Sequence, residues 1–480
     1  MNVINPNKCF SDILKYYIDV MNISVDDYAN KKRRLKLPII PEPILSCLLE
    51  SVSNIFKEET ILLNISSPCI IVGDVHGQLL DLFRILKSFP LPPATKYIFL
   101  GDLVDRGEFS TETVTLTFIL KVLYPQNIFI IRGNHEFGEI SQRSDFFAEL
   151  FSIYSNSSPL PQAFENAFSY MPLAAIIDNE SILIHGGIGP SINDIESITS
   201  IQRPVLNFKN EKVADLLWSD PSDTISMFIP SNRGTGSIFG PNSLNSFLSN
   251  SNLKILIRGH QCVENGCQTE INGKVITVFS ASNYCGITNN KAGVLIINQS
   301  TPLLKQSTIQ KPNFILQNSI DNNSKISNIS LKENLSNSYH TKIFDPLPKF
   351  SRSDVVFVKS ESEYALSIPQ HSVSSIFGKN NENRASKVPH RRLSTNPICS
   401  KISLCPNSNA ISLSDPTNNQ TNAHSKQTLN VSRNKIPQCS PLQPPSYSKS
   451  LSANSVLENR PNPRRKSSQI AHTLAQRISI

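Results

Sequence analysis

No CxxC pair occurs anywhere in the chain; the nine cysteines stand singly at positions 9, 47, 69, 262, 267, 285, 399, 405 and 439. Zinc ribbons need paired thiols, so none is expected. No run reaches the ~18 consecutive apolar residues of a membrane-spanning helix, so no membrane association is expected. The opening stretch MNVINPNKCFSDILKYY lacks the apolar core of a secretory leader. Asn2 stands where N-myristoylation needs glycine. With an odd number of cysteines and no leader, a reducing setting is expected, cytoplasmic or nuclear. No repeat of fixed period is visible, which excludes helical-repeat solenoids. EF-hand loops and a basic amphipathic calmodulin-type helix are also absent.

Hydrophobic residues are scarce, at 39% of 480 residues, but the shortage is local. Apolar runs recur to about residue 298, and beyond it Ser, Asn, Pro, Gln and Lys dominate. Charge divides at the same place. Residues 301–480 hold 23 basic and 9 acidic side chains, a net of +14, whereas residues 1–300 hold 23 basic and 29 acidic, a net of −6. An acidic body with a basic tail is not the footprint of a nucleic-acid binder, and no nucleic-acid partner is expected. The sequence therefore divides into an N-terminal helical segment at 1–40, a catalytic body at 41–300 and a disordered basic tail at 301–480, with an ordered arm to about Leu316. Segments such as NSIDNNSKISNIS cannot bury enough surface to offset the entropy lost on ordering.

Within the body, Phe10, Ile13, Leu14, Tyr17, Ile18 and Met21 recur at helical spacing, which predicts one amphipathic helix over 10–32. Ile44–Phe56 predicts a second. Six short apolar runs then end in Gly, Asp, Asn or His: Cys69–Val72, Tyr97–Leu100, Ile128–Ile131, Ile182–Ile184, Ile255–Ile257 and Val275–Phe279. Runs of this length and bounding are buried strands. Helical patterns at Leu79–Phe89, Ser110–Leu123 and Asp145–Tyr154 lie between several of them, which makes the body α/β.

The strand ends carry the chemistry. In order they read GDVHG (73–77), GDLVDRG (101–107), RGNHE (132–136), HGG (185–187), RGH (258–260) and SASNYCG (280–286). Ligands in α/β sheets sit beyond the carboxyl ends of strands, and strands about 4.8 Å apart let such side chains converge. A set of Asp, His, Asp, Asn, His and His suits zinc, iron or manganese better than calcium. It holds more donors than one ion needs; two cations sharing a carboxylate would use them all, and a pair about 3.5–4 Å apart can activate water against a phosphate. Arg106 and Arg233 would then neutralise phosphate oxygens.

Taken together and in this order, the six motifs resemble the phosphoprotein phosphatase (PPP) family of serine/threonine phosphatases, over roughly residues 40–300. Leu217-Trp218-Ser219-Asp220-Pro221 and Asn232-Arg233-Gly234 also resemble family signatures, and the body is most similar to the type-one and type-two-A catalytic subunits. The resemblance implies the metallophosphoesterase fold, a central β-sandwich flanked by helices. It implies two divalent metal ions, of the Mn2+ or Fe/Zn type, and hydrolysis of phosphoserine and phosphothreonine by in-line attack of a metal-bridged hydroxide. Asp74 and His76 would bind the first metal, Asp102 would bridge, and Asn134, His185 and His260 would bind the second. His135 would be the general acid, oriented and kept protonated by Asp105. Arg106 and Arg233 would bind phosphate with help from Asn134, and Tyr284 would line the site. Phosphoprotein substrates and regulatory subunits are the implied partners.

Blander roles suit other positions. Trp218 is read as core packing, Glu136 as a structural group behind the ligands, and Cys285 as a small buried residue. Phe137, Ser144 and Ile287 depart from residues usual in the family and are expected at substrate or inhibitor grooves. In the tail, Arg391-Arg392-Leu393-Ser394 and Arg464-Arg465-Lys466-Ser467 resemble basophilic kinase sites, against a plain solvated linker. The charge contrast also raises a tail folding back on an acidic groove. Two rival readings of the body are a small-molecule phosphoesterase of the same superfamily, such as a dinucleotide polyphosphate hydrolase, and an inactive metal-binding scaffold.

Overall fold

The structure, a computed structural model, describes residues 6–299, 324–329, 335 and 337–359. Two six-stranded sheets form its centre. The first runs, in spatial order, Ser324–Asn328, Asn337–Phe344, Ala292–Gln299, Cys69–Val72, Tyr97–Phe99 and Ile128–Ile130. Cys69–Val72 pairs in parallel with Tyr97–Phe99, which pairs in parallel with Ile128–Ile130; the other three strands join antiparallel. The second runs Cys267–Glu270, Val275–Val278, Ile255–Arg258, Ser181–Ile184, Ala174–Ile177 and Leu62–Ile65, with Ile255–Arg258 parallel to both neighbours.

Side-chain alternation along these strands builds three cores. Ile71, Ile98 and Leu295 of the first sheet meet Leu183, Ile257 and Ile276 of the second in a shared apolar layer. On the opposite face of the first sheet, Ile70, Val72, Tyr97 and Phe99 pack with the helices Pro6–Met21, Glu42–Glu58, Leu79–Lys87 and Ser110–Leu123. On the far face of the second, Ile182, Ile184 and Leu256 pack with Glu211–Trp218 and Pro241–Asn250. This is the expected sandwich between helical layers, and both faces of the strands are apolar because both are covered.

The helix expected over 10–32 divides. Pro6–Met21 ends, and Val25–Ala29 restarts after Ser24, whose side chain accepts from the backbone N–H of Asp27. Ser at an N-cap favours such a restart over a continuous helix. Phe10, Ile13, Leu14 and Tyr17 are buried in the same core as the helices of the body, so this segment packs as part of it.

Described strands continue beyond residue 300. Asn337–Phe344 pairs over eight positions with Ala292–Gln299, and Ser324–Asn328 pairs with its other edge. Farther on, Val355–Lys359 pairs in parallel with Leu35–Ile39 near the start of the chain. Composition concealed these strands because a sequence such as NSYHTKIF alternates buried with part-exposed residues, several of the buried ones polar: Asn337, Tyr339 and Thr341 are buried and Ser338, His340 and Lys342 are not. Ladder hydrogen bonds to a strand already in place supply what the missing apolar residues would have. The arm to Leu316 and both kinase-like sites lie outside the described residues.

A chain ending at residue 336 would leave Ala292–Gln299 as a bare eight-residue edge beside an opened core, a known aggregation hazard. It is expected to express as insoluble protein, whereas a chain ending at residue 360 keeps every described element and is expected to elute as a soluble species on size-exclusion chromatography. Equal soluble yields would show that Asn337–Phe344 is dispensable.

Candidate metal and catalytic site

Every metal-ligating candidate follows the carboxyl end of a strand, in both sheets. Asp74 follows Cys69–Val72, Asp102 follows Tyr97–Phe99, Asn134 follows Ile128–Ile130, His185 follows Ser181–Ile184 and His260 follows Ile255–Arg258. The sheets meet here, where Asp74 bridges in parallel to Phe279. The turns are tight: His76 (φ 45°), Asp102 (φ 50°), Asp105 (φ 67°), Arg106 (φ 70°) and His260 (φ 66°) are all left-handed. Such residues cost about 1–3 kcal/mol each and cluster where function needs them. Glycine is required beside two of them. A Cβ on Gly133 would overlap Asp102 Oδ1, and one on Gly259 would overlap Asp74 Oδ1, so the RG dipeptides let carboxylates press against backbone.

The carboxylates and imidazoles lie close together. Asp102 Oδ2 stands 3.4 Å from His76 Nε2 and 3.4 Å from His185 Nε2. Asp74 Oδ2 is 3.8 Å from His76 Nε2, and its Oδ1 accepts from the His260 N–H at 3.0 Å. His185 Nε2 lies 2.9 Å from Asn134 Oδ1. His76 Nδ1 is 2.8 Å from the Val104 carbonyl and His185 Nδ1 is 2.8 Å from the Leu100 carbonyl. A carbonyl only accepts, so both Nδ1 atoms carry hydrogen and both Nε2 atoms face the carboxylates.

Among the described residues, two groups of ligand atoms could each hold an ion, His76–Asp102–His135 and Asp102–His185–His260, with Asp102 common to both. The residues fit a pair of cations. His260 Nε2 is buried with no hydrogen-bond partner, a costly state for a polar atom unless something binds it. Burial, with Arg233 nearby, holds the His260 imidazole far below its ordinary pKa, and burial pushes His76 down to about 3. Both are therefore neutral, as ligands must be. Burial favours a protonated Asp102, but His185 and His135 outweigh it and hold that carboxylate ionised. Burial also disfavours charge on His185, yet Asp102 and Asp74 raise it to about 9; a cation at that position would displace the proton.

His135 stands apart from this pattern. Its Nδ1 lies 2.7 Å from Asp105 Oδ2, and its backbone N–H donates to Asp102 Oδ1 at 2.9 Å. Burial would lower the imidazole, but Asp102 and the hydrogen-bonded Asp105 prevail and raise it. Asp105 is itself fixed, its Oδ1 accepting from the N–H groups of Asp145 at 3.1 Å and Phe146 at 2.9 Å.

Seven of the candidates line one cleft: His76, Asp102, Asn134, His135, Arg233, His260 and Tyr284. Asp74, Asp105 and His185 are buried behind it. Arg106 is not among the lining residues; it follows Asp105 on the same turn, and its charge acts on His135, Tyr284 and Cys285. Glu136 receives the N–H groups of Asp102, Leu103 and Gly133, bracing the ligand loops from behind. Trp218 is buried edge-on to His260, with ring centroids 5.7 Å apart. Phe137, expected at a groove, is fully buried instead, with the Arg132 guanidinium 3.4 Å over its ring. Ile287 is 57% exposed.

Three supporting groups escaped the sequence reading. Asp220 is 2.7 Å from Arg233 Nε and 2.9 Å from Arg258 Nη2, so it aims the cleft arginine. Asp81 accepts from the Ser282 N–H at 2.7 Å and Ser280 Oγ accepts from the Gly73 N–H at 2.9 Å. Asp220 lies in the WSDP signature and was legible as a candidate; Asp81, on a helix with no motif around it, was not.

A family model described as calcineurin-like phosphoesterase matches residues 67–264. A PP2A-like serine/threonine-protein phosphatase of Candida albicans, PPG1, is 38% identical over 262 residues, covering 55% of this chain and 63% of that protein. The Arabidopsis thaliana serine/threonine-protein phosphatase BSL2 is 37% identical over 286 residues, covering 56% of this chain and 28% of its own length. A solved protein serine/threonine phosphatase from Saccharomyces cerevisiae, with similarity to human PP5, superposes with a TM-score of 0.51 at 32% identity, covering 53% of this chain and 82% of that one. The chain belongs to the phosphoprotein phosphatase family. It spans less than two thirds of either curated relative, so membership covers the metallophosphoesterase body and leaves the rest of those proteins unmatched. Among the described residues, no helix of this family member is long and apolar enough to cross a membrane.

Proposed function

We propose that the chain hydrolyses phosphoserine and phosphothreonine in proteins. The observation that carries this reading is His135, held through Nδ1 by Asp105 at 2.7 Å and facing the cleft beside a cluster of metal donors. Phosphorylated serine leaves as an alkoxide, a poor leaving group that needs a positioned proton donor. The relatives named above as serine/threonine phosphatases point to the same substrate class.

Asp74, His76 and Asp102 would hold one divalent cation, and Asp102, Asn134, His185 and His260 a second. Mixed imidazole and carboxylate donors suit manganese, iron or zinc. Cations bound there supply Lewis acidity toward the phosphoryl group and an activated water. The protein does the rest. Arg233, aimed by Asp220, and Arg106 neutralise phosphate oxygens, Asn134 adds a hydrogen bond, and Tyr284 closes one wall of the cleft. His135 gives its proton to the departing oxygen as the P–O bond breaks, and Asp105 keeps the ring oriented and charged. Phosphoproteins are the substrates and regulatory subunits a further class of partner. The six described cysteines are all unpaired, which suits a cytoplasmic or nuclear setting.

The test is a substrate panel on the full chain supplied with Mn2+. Phosphoserine and phosphothreonine peptides are expected to exceed phosphotyrosine peptides and dinucleotide polyphosphates in kcat/KM by ~100-fold. Preference for the dinucleotide would move the chain to the small-molecule branch of the superfamily, and no turnover of any of them would favour an inactive scaffold.

A further inference from the structure

After Phe344 the chain does not leave the body. Residues 345–359 cross from the end of the first sheet to the strand Leu35–Ile39, passing the catalytic loops on the way. Asn283, beside Tyr284, donates to the Leu347 carbonyl at 3.0 Å, and the Leu347 N–H donates to Ser282 Oγ at 3.1 Å. Phe350 stacks on Phe109, three residues beyond Arg106, with centroids 5.6 Å apart.

Arg352 is the most heavily engaged residue of this crossing. Its Nη1 and Nη2 donate to the two carboxylate oxygens of Glu112 at 2.8 and 2.9 Å. Nη1 also donates to the Glu108 carbonyl at 2.9 Å and stands 3.3 Å from Glu149 Oε1, while the Arg352 N–H donates to Glu108 Oε2 at 3.0 Å. The guanidinium lies 4.4 Å from the Phe357 ring centroid. One planar cation thus answers two nearly buried carboxylates and a backbone carbonyl, a role lysine cannot fill, while the backbone N–H of the same residue holds a third carboxylate.

Two routes run from these carboxylates to Asp105. Glu149 accepts from the N–H groups of Ser110 at 3.1 Å and Thr111 at 2.7 Å, and Ser110 Oγ accepts from the Asp105 N–H at 3.0 Å. Glu149 also sits on the helix Phe146–Ile153, whose N-cap Asp145 and first residue Phe146 supply the N–H groups that hold Asp105 Oδ1. Asp105 in turn holds His135. The distance from Arg352 to the proton donor is spanned by an ion pair at Glu149 and by hydrogen-bonded groups from there on.

We infer that Arg352 is a positioning residue for the Asp105–His135 pair, so that a segment C-terminal to all six motifs sets the aim of the catalytic proton. This rests on His135 being the proton donor of a phosphomonoesterase. The hydrogen bonds between the donor and its substrate must form within a few tenths of an ångström, and misplacement by about 1 Å can cost ~100-fold. Loosening Arg352 should therefore harm substrates in proportion to their need for that proton.

The experiment compares a phosphoserine peptide with p-nitrophenyl phosphate, whose phenolate departs without a proton, in the full chain as wild type, Arg352→Ala and Arg352→Lys. The readout is the ratio of the two kcat values in one preparation, which does not depend on the fraction of protein that is folded. Arg352→Ala is expected to lower the peptide-to-nitrophenyl ratio by about 10- to 100-fold, with Arg352→Lys between it and wild type. If Arg352→Ala yields no folded protein, the lysine variant decides. A ratio unchanged from an active wild type overturns the role of Arg352 and leaves the phosphatase reading standing. A wild-type chain that turns over neither compound overturns both.

Discussion

Replacing His135 by alanine is expected to lower turnover of a phosphoserine peptide by about 10²- to 10⁴-fold while leaving the metal content of the protein unchanged. The backbone N–H that donates to Asp102 survives the substitution, so that carboxylate keeps its partner. The imidazole and its proton are lost. In the wild type, burial would lower the affinity for that proton, and Asp102 with Asp105 raises it instead, so the ring holds its proton to higher pH than a buried histidine ordinarily does. An activated water and the arginines remain, so the residual rate should exceed that in water. The defect should shrink on p-nitrophenyl phosphate, which needs no acid. Metal analysis alongside peptide and nitrophenyl kinetics checks all three points. A variant equal to wild type on the peptide would remove His135 from the mechanism, and one that loses its metals would make it a ligand, which its place in one of the two ligand groups allows.

Asp102→Asn should behave differently in each respect. Asp102 is the residue common to both groups of ligand atoms, which set its carboxylate among the imidazoles of His76, His135, His185 and His260. Exchanging one carboxylate oxygen for NH2 preserves shape and leaves an oxygen to accept from His135 N–H. The net anion at the centre is lost. Changing a partner that merely orients a ligand costs 10- to 100-fold in metal affinity, and replacing a shared ligand should cost at least ~100-fold, with turnover falling below that of the His135 variant. The thermal readout is independent of activity. Bound cations stabilise only the folded state, by about 2.7 kcal/mol at a hundredfold excess over Kd, so a chelator should lower Tm of the wild type and barely move that of Asp102→Asn. Wild-type metal content and an undiminished chelator shift in the variant would dismantle the shared-carboxylate arrangement.

These two variants differ because two neighbouring loops divide the work, and the division is visible in hydrogen bonds. His76 and His185 give Nδ1 to backbone carbonyls, which leaves Nε2 as a lone pair for a cation. His135 gives Nδ1 to a carboxylate, which favours the imidazolium. The same side chain is thereby suited to bind a cation in one setting and to hold a proton in another.

Six motifs, six strands and the donor set could be read along the chain because each depends on local order. A buried strand must be apolar, the turn after it needs glycine, and the ligand follows at once; these constraints fall within seven residues of one another. The ends of Cys69–Val72 and Ser110–Leu123 were legible for that reason. The break at Ser24 and the burial of Phe137 were not, since a cap competing with a continuous helix and a cation over a ring depend on partners elsewhere.

By itself the sequence determined which side chains stand at the ends of the strands, because those positions follow directly from the local pattern of strand and turn. Only the tertiary structure decided where the body stops and what steadies it. Asn337–Phe344 is half polar and becomes a strand only against Ala292–Gln299, and Arg352 acquires a role only because Val355–Lys359 is drawn back to Leu35–Ile39 across more than three hundred residues. Pairing between distant edges leaves no local signature: its free energy comes from backbone groups that every residue carries, and its partners are chosen by the fold.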